Sequence, residues 1–164
     1  MVRYKSEAKM QNRDDTPAHA LWCAAHQGDV AVLSRLIAEG VDVNTWDRYG
    51  RNALTFAATS GQFAALKMLV EAGAWIDPFE EGSLFMSPLM CAAHHGQLDI
   101  AEFLLDRGAD PTLHGGFSVC TAEYYARQGN HEYLAAILRR AEDQVRRTRS
   151  NPSEPHQRSA LDLS

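Results

Sequence analysis

No apolar run in this 164-residue chain approaches the roughly 20 residues that a membrane-spanning helix needs. The best stretch, 63–76, is shorter and is interrupted by Lys67 and Glu71. The first residues carry Arg3, Lys5, Glu7 and Lys9 where a secretory signal would place an apolar segment. Cysteine is scarce, with three residues at Cys23, Cys91 and Cys120. An odd number with no secretory signal speaks for reduced thiols and against a disulfide framework, so a soluble, cytoplasmic protein is expected. Gly115-Gly116 lacks the Gly-Lys-Ser/Thr continuation of a phosphate-binding loop. The seven histidines contain no His-x-x-x-His or Glu-x-x-His spacing, so neither a metal nor a cofactor is expected. The composition is otherwise that of one folded domain with enough chain to bury a core.

Charge is uneven along the chain. The net charge is −5, yet residues 18–138 hold six Lys or Arg against fourteen Asp or Glu, a local net of −8. An acidic body excludes a nucleic-acid groove, which needs clustered cations, and permits a basic partner through electrostatic steering. The compensating cations Arg139, Arg140, Arg146, Arg147 and Arg149 come late and are diluted by Glu142 and Asp143. That stretch reads as a solvated face rather than a nucleic-acid or lipid site. Residues 150–164, with two prolines and little apolar content, are expected to be disordered.

What is abundant is repetition. Gly28, Gly61, Gly96 and Gly129 recur at intervals of 33, 35 and 33. The pairs Ala24-Ala25, Ala57-Ala58, Ala92-Ala93 and Tyr125-Ala126 keep the same intervals. So do the apolar triplets Leu33/Leu36/Ile37, Leu66/Leu69/Val70, Ala101/Leu104/Leu105 and Leu134/Ile137/Leu138. Each unit reads as two short antiparallel helices. Small residues in the first allow close approach at a seam, and the glycine after it supplies a left-handed cap without steric cost. The i, i+3, i+4 triplet makes the apolar stripe of the second helix, which Gly40, Gly73 or Gly108 ends. Neither helix is long enough to stand alone, so each unit must bury its stripe against neighbours.

These residues resemble the ankyrin repeat family. Its pattern is an Asp/Gly turn, Thr-Pro-Leu-His, an alanine pair, a glycine, a Leu-Leu helix and Gly-Ala-Asp-Val-Asn. The second copy supplies Asp47, Gly50, Leu54, Ala57-Ala58, Gly61, Leu69-Val70 and Gly73-Ala74. The third supplies Ser87-Pro88-Leu89, Ala92-Ala93, Gly96, Leu104-Leu105 and Gly108-Ala109-Asp110-Pro111. The first supplies Leu21, Ala24-Ala25, Gly28, Leu36-Ile37 and 40–44, with Asp15-Thr16-Pro17 as its helix start. The fourth departs most: Cys120-Thr121-Ala122-Glu123 replaces Thr-Pro-Leu-His, Tyr125 stands for the first alanine, and Ala141 stands where a helix-ending glycine would fall. The resemblance implies an all-α solenoid of four stacked helix-turn-helix units with hairpin-like turn fingers. We expect a polar leader over 1–16, a repeat domain over 17–141 divided at 17–46, 47–79, 80–114 and 115–141, and a helix extension with a basic, polar tail over 142–164. The array reads as complete, with the last helix running past Arg140 as a polar cap.

The same resemblance implies a monomeric protein-interaction module, such as a scaffold, adaptor or inhibitor, that holds a protein partner on its concave face and turn tips. An immunity-type inhibitor or a regulatory subunit of a partner enzyme or toxin is the alternative. A separate reading is an enzyme built on Cys91 and His94, because Cys23-Ala-Ala-His26 and Cys91-Ala-Ala-His94 each put a thiol and an imidazole on one helix face. The pairs sit two repeat layers apart, about 16–20 Å at the usual helix spacing, and cannot share a metal ion. No acid is placed to orient either histidine, and cysteine suits a helix seam, so packing is the expected role. In the family the residues just before the repeat glycine line the concave surface, which points to His26, Thr59, Ser60, His94, His95, Arg127 and Gln128 as partner contacts. The tip of the second turn adds Trp46, Arg48, Tyr49 and Arg51, residue types enriched at interface hot spots. The next turn is unusually apolar, and Phe79, Leu84, Phe85 and Met86 are its candidate anchors, with Ile76 expected to pack inward.

Overall fold

Among the residues that the computed structural model describes, 16–78, 86–115 and 120–150, eight helices follow one another in four pairs. They are α1 (Pro17–Gln27) with α2 (Val30–Ala38), α3 (Ala53–Thr59) with α4 (Phe63–Glu71), α5 (Pro88–His94) with α6 (Leu98–Asp106), and α7 (Ala122–Gln128) with α8 (Glu132–Ser150). The first helices α1, α3, α5 and α7 form one row, each packed on the next. Helix α2 packs on α4 and α4 on α6 in a second row, and α8 closes against α7. The chain is therefore an all-α repeat solenoid. Residues 1–15 of the expected 1–16 leader, 79–85 and 116–119 in the turns, and 151–164 of the expected 142–164 extension and tail lie outside the described residues.

Each first helix starts from a residue with extended backbone and an oxygen-bearing side chain. Thr16 accepts a hydrogen bond from His19 N at 3.2 Å, Asn52 from Thr55 N at 2.9 Å and Ser87 from Met90 N at 3.2 Å. These bonds satisfy amide donors that the first turn leaves without partners, and Pro17 and Pro88 start their helices where no donor is needed. Each first helix ends in the same backbone contact: Asp29 N donates to Ala24 O, Gln62 N to Ala57 O, Gln97 N to Ala92 O and His131 N to Ala126 O, all at 2.9 Å.

That contact corrects the register of the fourth repeat. The equivalent alanines Ala24, Ala57, Ala92 and Ala126 are spaced 33, 35 and 34 apart, one residue more in the last interval than the glycines suggest. Gly129 has φ −81, and the left-handed position that Gly28, Gly61 and Gly96 fill belongs to Asn130, at φ 60. Asparagine tolerates this conformation better than other side-chain-bearing residues, so the pattern shifts without breaking. Ala126 is then the first alanine of the pair, and Arg127 stands in place of the second. Tyr125 replaces no alanine; it is the equivalent of Cys23, Phe56 and Cys91.

The second row buries Leu33 and Leu36 on α2, Ala65, Leu66 and Leu69 on α4, Ile100, Ala101 and Leu104 on α6, and Leu134, Ala135 and Leu138 on α8. The i+4 members expected in this stripe, Ile37, Val70 and Leu105, are half-buried at its border, packed against the core from outside. The first row buries Ala25, Ala58 and Ala93, each fully, with Leu21, Leu54 and Leu89. In the last repeat these two positions are Arg127 and Glu123, which form an ion pair at 2.7 Å. With no described repeat beyond α7 to pack on it, that surface is polar.

Helix α8 passes through Ala141 and ends at Ser150. Near its end Arg149 reaches back to the third repeat, donating to Asp110 Oδ2 at 2.7 Å and to Thr112 Oγ1 at 2.9 Å. The turns are also linked to one another. Trp75 N donates to Asn44 Oδ1 at 2.9 Å, and Asp110 N donates to Asp77 Oδ2 at 2.8 Å, the same bond one repeat later.

Candidate protein-binding face

The exposed side of the first-helix row is a continuous track of rings and short polar groups. On α1, the His19 ring meets Trp22 edge-on, and Trp22 stacks on Phe56 of α3 with ring centres 6.4 Å apart. His26 stands edge-on to the same Phe56 and hydrogen-bonds through Nδ1 with the Ser60 hydroxyl. Contact passes from α3 to α5 where the Thr59 hydroxyl meets the Cys91 thiol. His94 then stands edge-on to Tyr125 of α7, and Tyr125 to Tyr124. In repeat register these are two columns, Cys23, Phe56, Cys91 and Tyr125 beside His26, Thr59, His94 and Gln128.

The turn tip before α3 joins this track through Arg51. Its guanidinium lies 4.5 Å from the Phe56 ring centre and 5.2 Å from that of Tyr49, with an ion pair to Asp47 at 2.8 Å. Asp47 in turn holds the tip in shape, because its Oδ1 accepts from Tyr49 N and Arg51 N, both at 2.8 Å. Arg48 lies 4.5 Å over the other ring contact of the tip, the half-exposed Tyr49. Trp46 is exposed as well. A folded tip whose cations already rest on aromatic faces loses little conformational freedom on binding.

The candidate contacts are distributed unequally over this surface. Trp46, Arg48, Tyr49 and Arg51 share the tip, and Ser60, His94 and His95 lie on the first-helix face. Thr59 is there too, but its hydroxyl also donates to Thr55 O at 2.8 Å and is partly used by its own helix. His95 is exposed, and its Nδ1 is bonded to Cys91 O at 2.9 Å, which makes Nε2 the acceptor when the ring is neutral. Met86 is half-buried against the core, as is Ile76. Phe79, Leu84 and Phe85 lie outside the described residues. Arg127 is moved off the column of helix-end contacts by the one-residue shift, and Gln128, expected beside it, is the residue in register with His26, Thr59 and His94. Trp22, Phe56, Tyr124 and Tyr125 are the surface rings that the sequence reading passed over. The signal for Phe56 and Tyr125 was present in their register with Cys23 and Cys91. Trp75 is the most exposed tryptophan, at 57%, and stands where the first and third repeats have Asp42 and Asp110.

The two Cys/His pairs differ from a catalytic arrangement in measurable ways. Cys91 is buried, and burial pushes its thiol up to about 11, against smaller opposing effects from the Thr59 hydroxyl and the Arg51 charge. Its Sγ points at Met86 O, 4.0 Å away. Cys23 is exposed, and its sulfur lies 3.8 Å from the ring nitrogens of His19, not His26. Among the described residues no group of three or more His, Cys, Asp or Glu is placed to hold a metal ion.

Comparison with known proteins agrees with this geometry. A family model for ankyrin repeats in many copies matches residues 21–70, and the single ankyrin repeat model matches 86–115. The chain belongs to the ankyrin repeat family. It is 29% identical over 128 residues to the putative ankyrin repeat protein YahD of Escherichia coli (strain K12), a match covering 76% of this chain and 61% of that protein. It is 30% identical over 124 residues to the ankyrin repeat and KH domain-containing protein mask-1 of Caenorhabditis elegans, covering 76% of this chain and 5% of that one. Dauer abnormal formation protein 25 of the same organism is 27% identical over 128 residues, 78% of this chain and 33% of its own length. The ankyrin-repeat chain thus spans less than two thirds of each of these relatives. Ankyrin repeats are in general protein–protein interaction modules. No helix among the described residues is long and apolar enough to cross a membrane.

Proposed function

We propose that this ankyrin-repeat chain is a scaffold, adaptor or inhibitor that holds a protein partner between the first-helix face and the turn tip at Trp46–Arg51, without chemistry of its own. The observation that carries this reading is the continuity of the exposed face with a pre-folded tip, Arg51 resting on both Tyr49 and Phe56. Surfaces of this kind, rich in Trp, Tyr, Arg and His and fixed by the rows behind them, recognise a folded partner without much ordering cost. The buried, strongly protonated Cys91 thiol supports a packing role for that cysteine over a nucleophilic one.

The test is to capture partners from the source cells with the wild-type chain, identify them by mass spectrometry and measure their affinity for variants. Arg48→Ala combined with Tyr49→Ala is expected to weaken binding by about tenfold or more, roughly the loss of one hot-spot contact, with helical circular dichroism unchanged. Equal affinity for the double variant would move the binding site elsewhere.

A further inference from the structure

Charge on this molecule is segregated between its two rows. Helices α1, α3 and α5 contain no Asp, Glu, Lys or Arg at all. The charges of the repeats lie instead on the second row and its ends, including Arg35, Lys67, Glu71, Asp99, Glu102 and Asp106, and in the turns, including Asp42, Asp77 and Asp110. Helix α7 carries only Glu123 and Arg127, which neutralise each other at the end of the row. The accessible charge of the first-helix face therefore comes, among the described residues, from the tip. There Asp47 is almost covered, its side chain 9% exposed, with both carboxylate oxygens bonded within the tip. Arg51 remains 46% exposed beside it, and Arg48 is exposed with no ion pair to a described residue. One shielded acid and two accessible guanidinium groups leave this face positive on a protein of net charge −5.

Building on the proposed partner-binding role, we infer that the first-helix face receives an acidic segment of its partner, a carboxylate meeting Arg48 and Arg51 and an adjacent apolar side chain resting on Trp22 and Phe56. Guanidinium forks match carboxylates in two parallel hydrogen bonds, a geometry open to Arg48, while Arg51, whose Nε and Nη2 already face Asp47 Oδ2, adds positive charge at its exposed edge; both groups are held over rings. The half-buried Trp22–Phe56 stack supplies the neighbouring apolar platform. Helix α6, with Asp99, Glu102 and Asp106 and no Lys or Arg, is the acidic stretch of the second row and disfavours an acidic segment there. The overall acidity of the repeats thus misleads about the partner: it comes from α6 and the turns, not from the first helices.

Panning a phage-displayed library of random linear peptides against the full chain tests this. Enriched peptides are expected to combine Asp or Glu with a neighbouring aromatic or aliphatic residue. Synthetic copies should lose about tenfold or more in affinity for Arg48→Glu and change less than about twofold for Lys67→Glu, the same charge reversal on the second row. Cys23→Trp, a bulky block at an exposed point of the first-helix face, should also abolish their binding. Enrichment of basic or uncharged peptides, or equal sensitivity to Arg48→Glu and Lys67→Glu, overturns the acidic-segment inference. If such peptides are still blocked by Cys23→Trp, the face itself stands as the binding surface. Peptides indifferent to Arg48→Glu and to Cys23→Trp, or no enrichment over a surface without protein, overturn both readings.

Discussion

Gly61 and Gly73 have the same backbone freedom for different reasons. Both have positive φ, 68 and 90, where a side chain strains the backbone. A Cβ on Gly73 would meet nothing within 4 Å, whereas one on Gly61 would meet the Gln97 carboxamide at 2.7 to 2.8 Å, because the next repeat's helix start is packed against it. The Gln97 carboxamide is the end of a flexible side chain and can turn aside, so Gly73→Val and Gly61→Val are both expected to cost about 1–2 kcal/mol, chiefly of backbone strain. Urea denaturation of the two variants checks this. A Gly61→Val midpoint equal to wild type would remove the left-handed cap from this position. The thiols give a second comparison at the same scale. Alkylation followed by mass spectrometry should label the exposed Cys23 well before Cys91, which stays protonated until the pH nears the value of about 11 that its burial imposes. Fast modification of Cys91 at neutral pH would reopen the catalytic reading.

At the scale of elements, the bonds between turns repeat in position but not in chemistry. Asn44 accepts from Trp75 N and donates through Nδ2 to Gly73 O at 3.1 Å, using both ends of its amide. Asp77 accepts from Asp110 N in the same way, but its Oδ1 is buried without a partner. Burial raises the Asp77 carboxyl above its ordinary value; the bond from Asp110 N works against this, and the Asp110 charge adds to it. A carboxyl raised on folding leaves stability greatest below its unfolded value and loses it as pH rises through the folded one. Asp77→Asn, which copies Asn44, should therefore raise thermal stability at neutral pH, by about 1 kcal/mol, with the gain shrinking as the solution is acidified. Thermal melts of both proteins across the acid range measure this, and a gain that grows on acidification would contradict the assignment. The helices themselves were legible because each repeat must hide an apolar stripe and a small-residue seam, and those needs leave periodic residues. The fourth repeat was misread because the fold requires a left-handed backbone rather than a glycine. Asn130 meets that need one position after Gly129, and only the backbone bond to Ala126 shows the shift. The contacts across repeats, such as Trp22 on Phe56 and His94 on Tyr125, depend on the stacking of units and leave no local pattern to find.

For the whole molecule, a solenoid gains stability from neighbours, so position along the stack decides how far a local loss spreads. Leu66 and Leu138 are both fully buried on second-row helices, but α4 packs on α2, α3 and α6, whereas α8 closes one end against α7. Replacing either by alanine removes the same side chain and should cost about 2–5 kcal/mol locally. Leu66→Ala breaks interfaces on both sides and is expected to lower the single unfolding transition of the entire stack. Leu138→Ala loosens the end at which Glu123 and Arg127 already replace the buried leucine and alanine of inner repeats, and which Arg149 ties to the third turn. Hydrogen exchange in that variant should quicken in α7 and α8 while α3 and α4 keep their protection. Because the tip and the face around Phe56 belong to the inner repeats, binding should survive Leu138→Ala better than Leu66→Ala at equal temperature. Uniform loss of protection in both variants would mean that the four repeats unfold as one unit, with the terminal pair no more independent than the rest.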